Sequence, residues 1–219
     1  VVTVGPDVDA RSASGVFAAI GRHFQPEHDF TLLPGTALDT LDFTSFKMNL
    51  GSKMILDATP KRGRPARPLL EERGFPDLRG FEPAVTAQRL FAGSCLVVAL
   101  RAGTDGRALL ERFQSDAFLA WAGTQGAREP LERLPMLILV SDDVRLDDET
   151  HLLWGMFTRF DAARDLRFRE SKLVQACPTH RGTLGIDATW KPGYPAPVRS
   201  SDETIRLVDR RWREYGIGK

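Results

Sequence analysis

Two stretches of this chain end an apolar run with an aspartate, a threonine and a lysine at the same spacing. They are Leu56-Asp57-Ala58-Thr59-Pro60-Lys61 and Ile186-Asp187-Ala188-Thr189-Trp190-Lys191. In each, side-chain oxygens can bond neighbouring backbone N–H groups and fix the exit turn of a strand. Lys61 and Lys191 could meet an acidic ligand, although a solvated lysine is the commoner role. Asp142, Asp143, Asp147, Asp148 and Glu149 form a carboxylate cluster. It reads either as a cation site or as turn and first-turn helix chemistry. Asp7 and Asp143 each lie between a predicted strand and a predicted helix, where a carboxylate accepts backbone N–H bonds. His23, His28, His151 and His180 have no metal-type spacing. Cys95 and Cys177 lie far apart without a C-x-x-C pattern and read as buried, inert thiols suited to a reducing cytosol. Glu27, Glu71, Glu72 and Glu149 fall in predicted loops or helix starts, where solvated carboxylates are the default.

The elements that must position these groups occur twice. Residues 1–30 run beside residues 137–166 without a gap, with Val4 on Val140, Asp7 on Asp143, Phe24 on Phe160 and Asp29 on Asp165. The order of strand, acidic turn, amphipathic helix, strand and [LI]-D-A-T-x-K is the same in both, which reads as an internal duplication. Residues 60–80, rich in Pro, Gly and Arg, read as a loop or linker between the copies. The expected division is therefore 1–80 for a first copy that lacks its leading part, with the linker, and 81–219 for the second. An upstream segment or a separate polypeptide is expected to supply the missing part.

Short apolar runs predict strands at Val1–Val4, Lys53–Leu56, Cys95–Leu100, Met136–Val140 and Thr183–Ile186. Val16, Phe17, Ile20 and Phe24 form a helical stripe that Leu152, Leu153, Met156 and Phe160 repeat. Leu109–Leu119 predicts a helix or a broken pair, and Ser201 opens a last helix that ends at Gly216. This alternation predicts an α/β layered fold with a largely parallel sheet flanked by helices. A net charge of +1 gives no overall pull toward nucleic acid or anionic membrane. No apolar run approaches the roughly 20 residues of a membrane helix, so a cytoplasmic protein is expected.

The stretch Thr31-Leu32-Leu33-Pro34-Gly35-Thr36-Ala37-Leu38-Asp39-Thr40-Leu41-Asp42-Phe43, with Gly51-Ser52-Lys53-Met54-Ile55-Leu56-Asp57-Ala58-Thr59 after it, resembles the C-terminal domain of UbiD-type decarboxylases. These include the 3-polyprenyl-4-hydroxybenzoate carboxy-lyases. Residues 152–165, 185–195 and 208–216 are similar to the same family, and the resemblance leaves out about 60–135. It implies non-oxidative removal or addition of CO2 on an aromatic or α,β-unsaturated acid. The cofactors implied are prenylated FMN and a divalent metal, held by a flavin-binding segment or subunit that is absent here. The family's catalytic Glu–Arg–Glu set belongs to that absent part and maps onto no residue of this chain, so the chain alone is expected to be silent. It also implies a substrate-side and assembly role in a homo-oligomer. The first copy keeps Gly51-Ser52-Lys53-Met54 where the second has Arg181-Gly182-Thr183-Leu184, so the first is expected to face the substrate. Within the loop Thr36–Phe43, Leu38, Asp39 and Leu41 are the candidate substrate-binding residues. Apolar walls there would exclude water and one polar group would orient the acid. The alternative is that Leu38 and Leu41 pack under a loop and Asp39 makes a turn.

Two other readings stand beside this one. The duplicated unit could be a non-catalytic oligomerisation or scaffold module, with Trp154, Trp190 and Trp212 as contact or core aromatics. Arg62-Gly63-Arg64-Pro65 resembles a minor-groove hook for A·T-rich DNA, the alternative being a loop that contacts its own protein or solvent.

Overall fold

The computed structural model describes residues 1–217. A first unit runs β1 (Val2–Val4), α1 (Ala13–His23), α2 (Pro26–Asp29), β2 (Phe30–Ala37) and β3 (Leu50–Ala58). A connecting region adds β4 (Val85–Phe91), β5 (Cys95–Leu100), α3 (Gly106–Phe113), α4 (Asp116–Thr124) and α5 (Arg128–Glu132). A second unit follows with β6 (Met136–Ser141), α6 (Glu149–Phe157), α7 (Ala162–Asp165), β7 (Leu166–Val174) and β8 (Cys177–Ala188), and after it come α8 (Asp202–Arg211) and a 3-10 turn at Trp212–Tyr215.

The strands form two sheets, ordered β1-β3-β2 and β4-β5-β6-β8-β7. β5 and β6 are buried along their whole length and alternate between two cores. Leu96, Val98, Leu100, Leu137 and Leu139 pack with α3, α4 and α5. Val97, Ala99, Ile138 and Val140 face the other way, into a core shared with Phe17, Ile20 and Phe24 of α1, Met54 and Leu56 of β3, and Leu152 and Met156 of α6. Burying both faces explains why these strands read as continuous apolar runs. The helices begin where short polar side chains can accept orphan N–H groups. Ser12 accepts from Gly15, Asp105 from Ala108, Ser115 from Phe118, Asp148 from His151 and Ser201 from Thr204.

The α/β class holds, but the sheets are mixed rather than largely parallel. Among the described residues β1–β3, β5–β6 and β6–β8 are parallel, whereas β2–β3, β4–β5 and β7–β8 are antiparallel. The antiparallel partners β2, β4 and β7 are edge strands. An edge strand needs no unbroken apolar run, so their sequences do not announce them. Leu109–Leu119 is a broken pair, α3 and α4, parted at Gln114 and Ser115. Helix caps also fall elsewhere than expected: Ser12 and Asp148 cap α1 and α6, not Asp7 and Asp143.

The two units share element order and register. Val4 stands beside Ala58 and Phe30 opposite Leu56; Val140 stands beside Ala188 and Leu166 opposite Ile186. They also contact each other reciprocally, α2 lying against β8 and α7 against β3. The 60–80 segment is docked rather than free. Arg67 N–H donates to Arg22 O, Leu70 N–H donates to Gly93 O, and Leu78 is fully buried. No helix among the described residues is long and apolar enough to cross a membrane.

Candidate functional site

The aspartates of the two Asp-Ala-Thr motifs do the turn chemistry their position dictates. Asp57 Oδ1 accepts from Thr59 N (3.0 Å) and Oγ1 (2.6 Å), and Asp187 Oδ1 accepts from Thr189 at the same two distances. Lys61 Nζ donates to Asp57 O at 2.7 Å and pairs with Asp29 at 3.3 Å. Lys191 Nζ donates to Asp187 O at 2.8 Å and stands 3.7 Å from Asp165. Burial lowers the ammonium pKa of Lys191 despite the carboxylates beside it. Both lysines are therefore held by their own units.

The loop 38–49 joins β2 to β3 and carries the three candidate substrate residues. Leu38 packs on Gly51 so closely that a Cβ at Gly51 would stand 2.1 Å from Leu38 Cδ1. Asp39 Oδ1 accepts from Leu41 N at 2.8 Å, a turn contact. Leu41 is 85% exposed. Past them the loop turns inward: Thr44 is buried, and Asp42 Oδ1 accepts from Thr44 N and Oγ1. Phe46 and Asn49 have φ of 58° and 59°, the left-handed region that a bulky residue such as Phe rarely enters.

Behind this loop lies a cavity of about 420 Å³ where the two units meet. Phe17, Met54, Leu153, Phe157 and Phe160 form its apolar wall. Asp42, Thr44, Ser52, Lys53 and Arg11 supply its polar groups. Lys53 and Arg11 make no ion pair among the described residues. The structure thus brings Ser52, Lys53 and Met54 and the inner end of the loop to one cavity, while Leu38, Asp39, Leu41 and Gly51 lie outside its lining. Ser52 also ties the units together, its Oγ donating to Asp161 Oδ2 (2.9 Å) and accepting from Ala163 N (2.7 Å).

The sequence did not single out the most buried cation. Arg159 is 0% exposed; its Nη1 and Nη2 donate to Asp143 Oδ1 and Oδ2, both at 2.7 Å. Its guanidinium lies between the rings of Trp154 and Trp190, 4.8 and 4.9 Å from their centroids. The hydrogen bonds from Arg159 hold the Asp143 carboxyl below the usual carboxylate range. Asp143 is thus an ion-pair partner. Cys177 stands exposed at the β7–β8 turn, against the expectation of burial, whereas Cys95 is buried and its thiol pKa is raised by that burial. Arg64 is held by Asp29 (2.8 Å) and Gln25 (3.0 Å). Gly63 turns the chain there with φ 80° and Lys61 bridges to Arg64, so Arg62-Gly63-Arg64 is a tight turn and not an extended hook.

A flavin phosphate and its divalent metal require a donor set. No group of three His, Cys, Asp or Glu side chains is placed to hold a metal among the described residues. The starts of α1, α3, α4, α6 and α8 are filled by the chain's own Ser or Asp caps. Among the described residues, then, neither a metal cluster nor an open start of these five helices is offered to the phosphate of prenylated FMN or its metal.

The model of the 3-octaprenyl-4-hydroxybenzoate carboxy-lyase C-terminal domain matches residues 1–58 and 84–188. The chain belongs to this family. The match includes residues 84–135, which the motif resemblance left out, and stops before α8. An uncharacterized protein of Chlamydia muridarum is 28% identical over 209 residues, 95% of this chain and 32% of that protein. A Chlamydia pneumoniae protein named as a 4-hydroxybenzoate decarboxylase subunit is 28% identical over 204 residues, 92% of this chain and 31% of that protein. The chain spans about a third of the length of these relatives. Among solved structures, the vanillic acid decarboxylase of Sedimentibacter hydroxybenzoicus in closed form is 15% identical over 64% of this chain and 30% of its own, with a TM-score of 0.41. The UbiD-class enzyme HmfF of Pelotomaculum thermopropionicum, in an evolved dimeric form with prFMN, is 18% identical over 61% of this chain and 27% of its own, with a TM-score of 0.38.

Proposed function

We propose that this chain works in the cytoplasm as the substrate-side and assembly portion of a UbiD-type decarboxylase or carboxylase. Its substrate class is an aromatic or α,β-unsaturated carboxylic acid. The observation that carries the reading is the junction cavity, whose aromatic wall suits a flat apolar body and whose Lys53 and Arg11 suit a carboxylate. Family membership and the name of the Chlamydia pneumoniae relative support the same chemistry. In this reading a flavin-binding segment or subunit holds prenylated FMN and the divalent metal. The bound flavin would act as the electron sink for CO2 loss. The residues of this chain exclude water and orient the acid, and Leu38, Asp39 and Leu41 are substrate-side residues of the loop outside the cavity lining. The shared register of the two units supports an origin by internal duplication, with 1–80 and 81–219 as the two copies, and whole chains assemble into a homo-oligomer.

The test is reconstitution. The chain is mixed with a flavin-binding segment of a UbiD-type decarboxylase loaded with prenylated FMN. CO2 release is measured from 4-hydroxybenzoate and a panel of unsaturated acids. A rise in turnover per flavin supports the reading, and unchanged turnover leaves only the scaffold role. Gel filtration of the chain alone with prenylated FMN and metal is expected to give a colourless protein peak. A stoichiometric flavin peak overturns the assignment of the cofactor to a partner.

A further inference from the structure

The loop 38–49 belongs to the first unit, but the second unit holds it. Tyr194 lies beyond β8, is buried, and inserts its ring among the aromatic residues of the loop. The Phe43 ring meets it edge-on with centroids 5.0 Å apart, and the Phe46 ring stacks on it at 5.0 Å and 27°. Its hydroxyl faces the carbonyl oxygens of Thr44 (3.2 Å) and Arg159 (3.3 Å) and accepts from Arg164 Nη2 at 2.9 Å. The Arg164 guanidinium also lies 4.8 Å from the Phe46 ring centroid, and it is aimed by two hydrogen bonds to Asp165, at 2.8 and 2.6 Å. Asp165 is fixed in turn by Asp161 N–H at 2.8 Å. A continuous chain of contacts therefore runs from α7 through Arg164 and Tyr194 to the loop backbone. It ends at Phe46, one of the loop's two residues in the left-handed region. Such backbone persists only where its surroundings over-determine it, and the contacts of Tyr194 and Arg164 with the Phe46 ring do so.

We propose that Arg164 and Tyr194 are positioning residues that lock the substrate-side loop 38–49 in its strained form, so that the second unit governs the first unit's site. The locked loop keeps Asp42 and Thr44 on the cavity wall and Leu41 and Met48 exposed at its outer surface. This rests on the reading of the loop as substrate-side. The first unit has no equivalent device among the described residues. Continuing the second motif's alignment pairs Tyr194 with Arg64, which is occupied by Asp29 and Gln25.

Hydrogen exchange of the full chain separates the two ideas. The amides of Leu38, Asp42, Phe46 and Leu50 are bonded within the loop or to its ends and report its closure. In Tyr194→Phe the ring stays and the hydroxyl is lost, so these amides should exchange roughly five- to tenfold faster, the worth of one net hydrogen bond. The urea midpoint should fall by no more than that one hydrogen bond's worth. Arg164→Met should also speed loop exchange while keeping side-chain bulk, with an added loss of global stability because it strands the buried Asp165 carboxylate. Unchanged loop exchange in both variants overturns the clamp. Faster loop exchange together with a raised KM in the reconstituted decarboxylase, with kcat little affected, supports clamp and site together. Faster loop exchange with unaltered kinetics upholds the clamp and removes the substrate-side reading of the loop.

Discussion

Replacing Asp143 by alanine should destabilise the protein more than replacing Arg159, its buried partner, by methionine. Asp143→Ala removes two charge-assisted hydrogen bonds of 2.7 Å and leaves a fully buried guanidinium with no carboxylate. Breaking a buried pair this way costs about 3–5 kcal/mol. The Asp143 side chain is 40% exposed, so its own interaction is screened and water can reach part of the gap, which brings the expectation to about 2–3 kcal/mol. For a chain of this length that corresponds to a fall in melting temperature of about 5–10 °C. Arg159→Met leaves a half-exposed carboxylate that water can solvate and keeps an apolar, polarizable chain between Trp154 and Trp190, for a cost of about 1–2 kcal/mol. The double variant removes the stranded charge and should recover about 1 kcal/mol relative to Asp143→Ala alone. Urea denaturation followed by tryptophan fluorescence reads all three, because both flanking rings report the slot. A double variant no more stable than Asp143→Ala would refute the argument, since the penalty would then not come from an unpaired buried charge.

The same pair sets a pH dependence. The folded carboxyl of Asp143 titrates below its unfolded value, so its stabilisation is full above about pH 4 and is lost as pH falls through the folded pKa. The stability gap between the wild type and Asp143→Asn should therefore close on acidification below pH 4 in urea titrations, and a constant gap would contradict it. Gly51→Ala should cost about 1–3 kcal/mol, because its methyl would stand 2.1 Å from Leu38 Cδ1 and 3.1 Å from Asp161 Oδ2. Faster exchange at the Leu38 amide should accompany that loss. A thiol reagent should modify Cys177 at once and Cys95 only on unfolding, and rapid labelling of both in native buffer would contradict the burial of β5.

What the sequence disclosed follows the strength of local signals. β5 and β6 were legible because each is an apolar run buried on both faces, and β5 was bounded correctly at Cys95 and Leu100. β2 was not, because Pro34 and Gly35 interrupt its apolar residues; the strand tolerates them at an edge, with a register shift between Pro34 and Thr36. β7 was hidden by Arg167, Arg169, Glu170 and Lys172, whose charges suit an exposed edge. The site was legible in part. The Gly51–Met54 stretch was singled out and its Ser52, Lys53 and Met54 line the cavity, whereas Phe157 and Phe160 join Arg11 and Phe17 there only through the packing of the two units. Arg159 had no signal of its own, since its partner lies on the far side of α6 and no helical spacing links them. Tyr194 was visible only as part of a motif, because nothing local tells that its hydroxyl meets a carbonyl of Thr44, 150 residues earlier.

The two units use one arrangement of aspartates in different ways. Both keep the same scaffold of aspartates. Gln25 N–H donates to Asp29 Oδ2 at 2.9 Å, and Asp161 N–H donates to Asp165 Oδ2 at 2.8 Å. Each of these aspartates has a guanidinium partner, but it comes from a different place. In the first unit Arg64, beyond the Asp-Ala-Thr motif, crosses to Asp29. In the second unit the neighbour Arg164 takes that role, where the first unit has His28. That exchange frees the position of Arg64 to be Tyr194, whose hydroxyl can face outward toward another segment without leaving Asp165 unpaired. Burial pushes that hydroxyl up to about 12, so it stays a neutral donor at neutral pH and well above it. A charged group there would have to be desolvated against the Thr44 carbonyl at a cost of several kcal/mol, whereas a phenol brings the hydrogen bond and two aromatic contacts with little penalty. The Arg-to-Tyr difference between otherwise matching networks is thus what couples the second unit to the loop of the first.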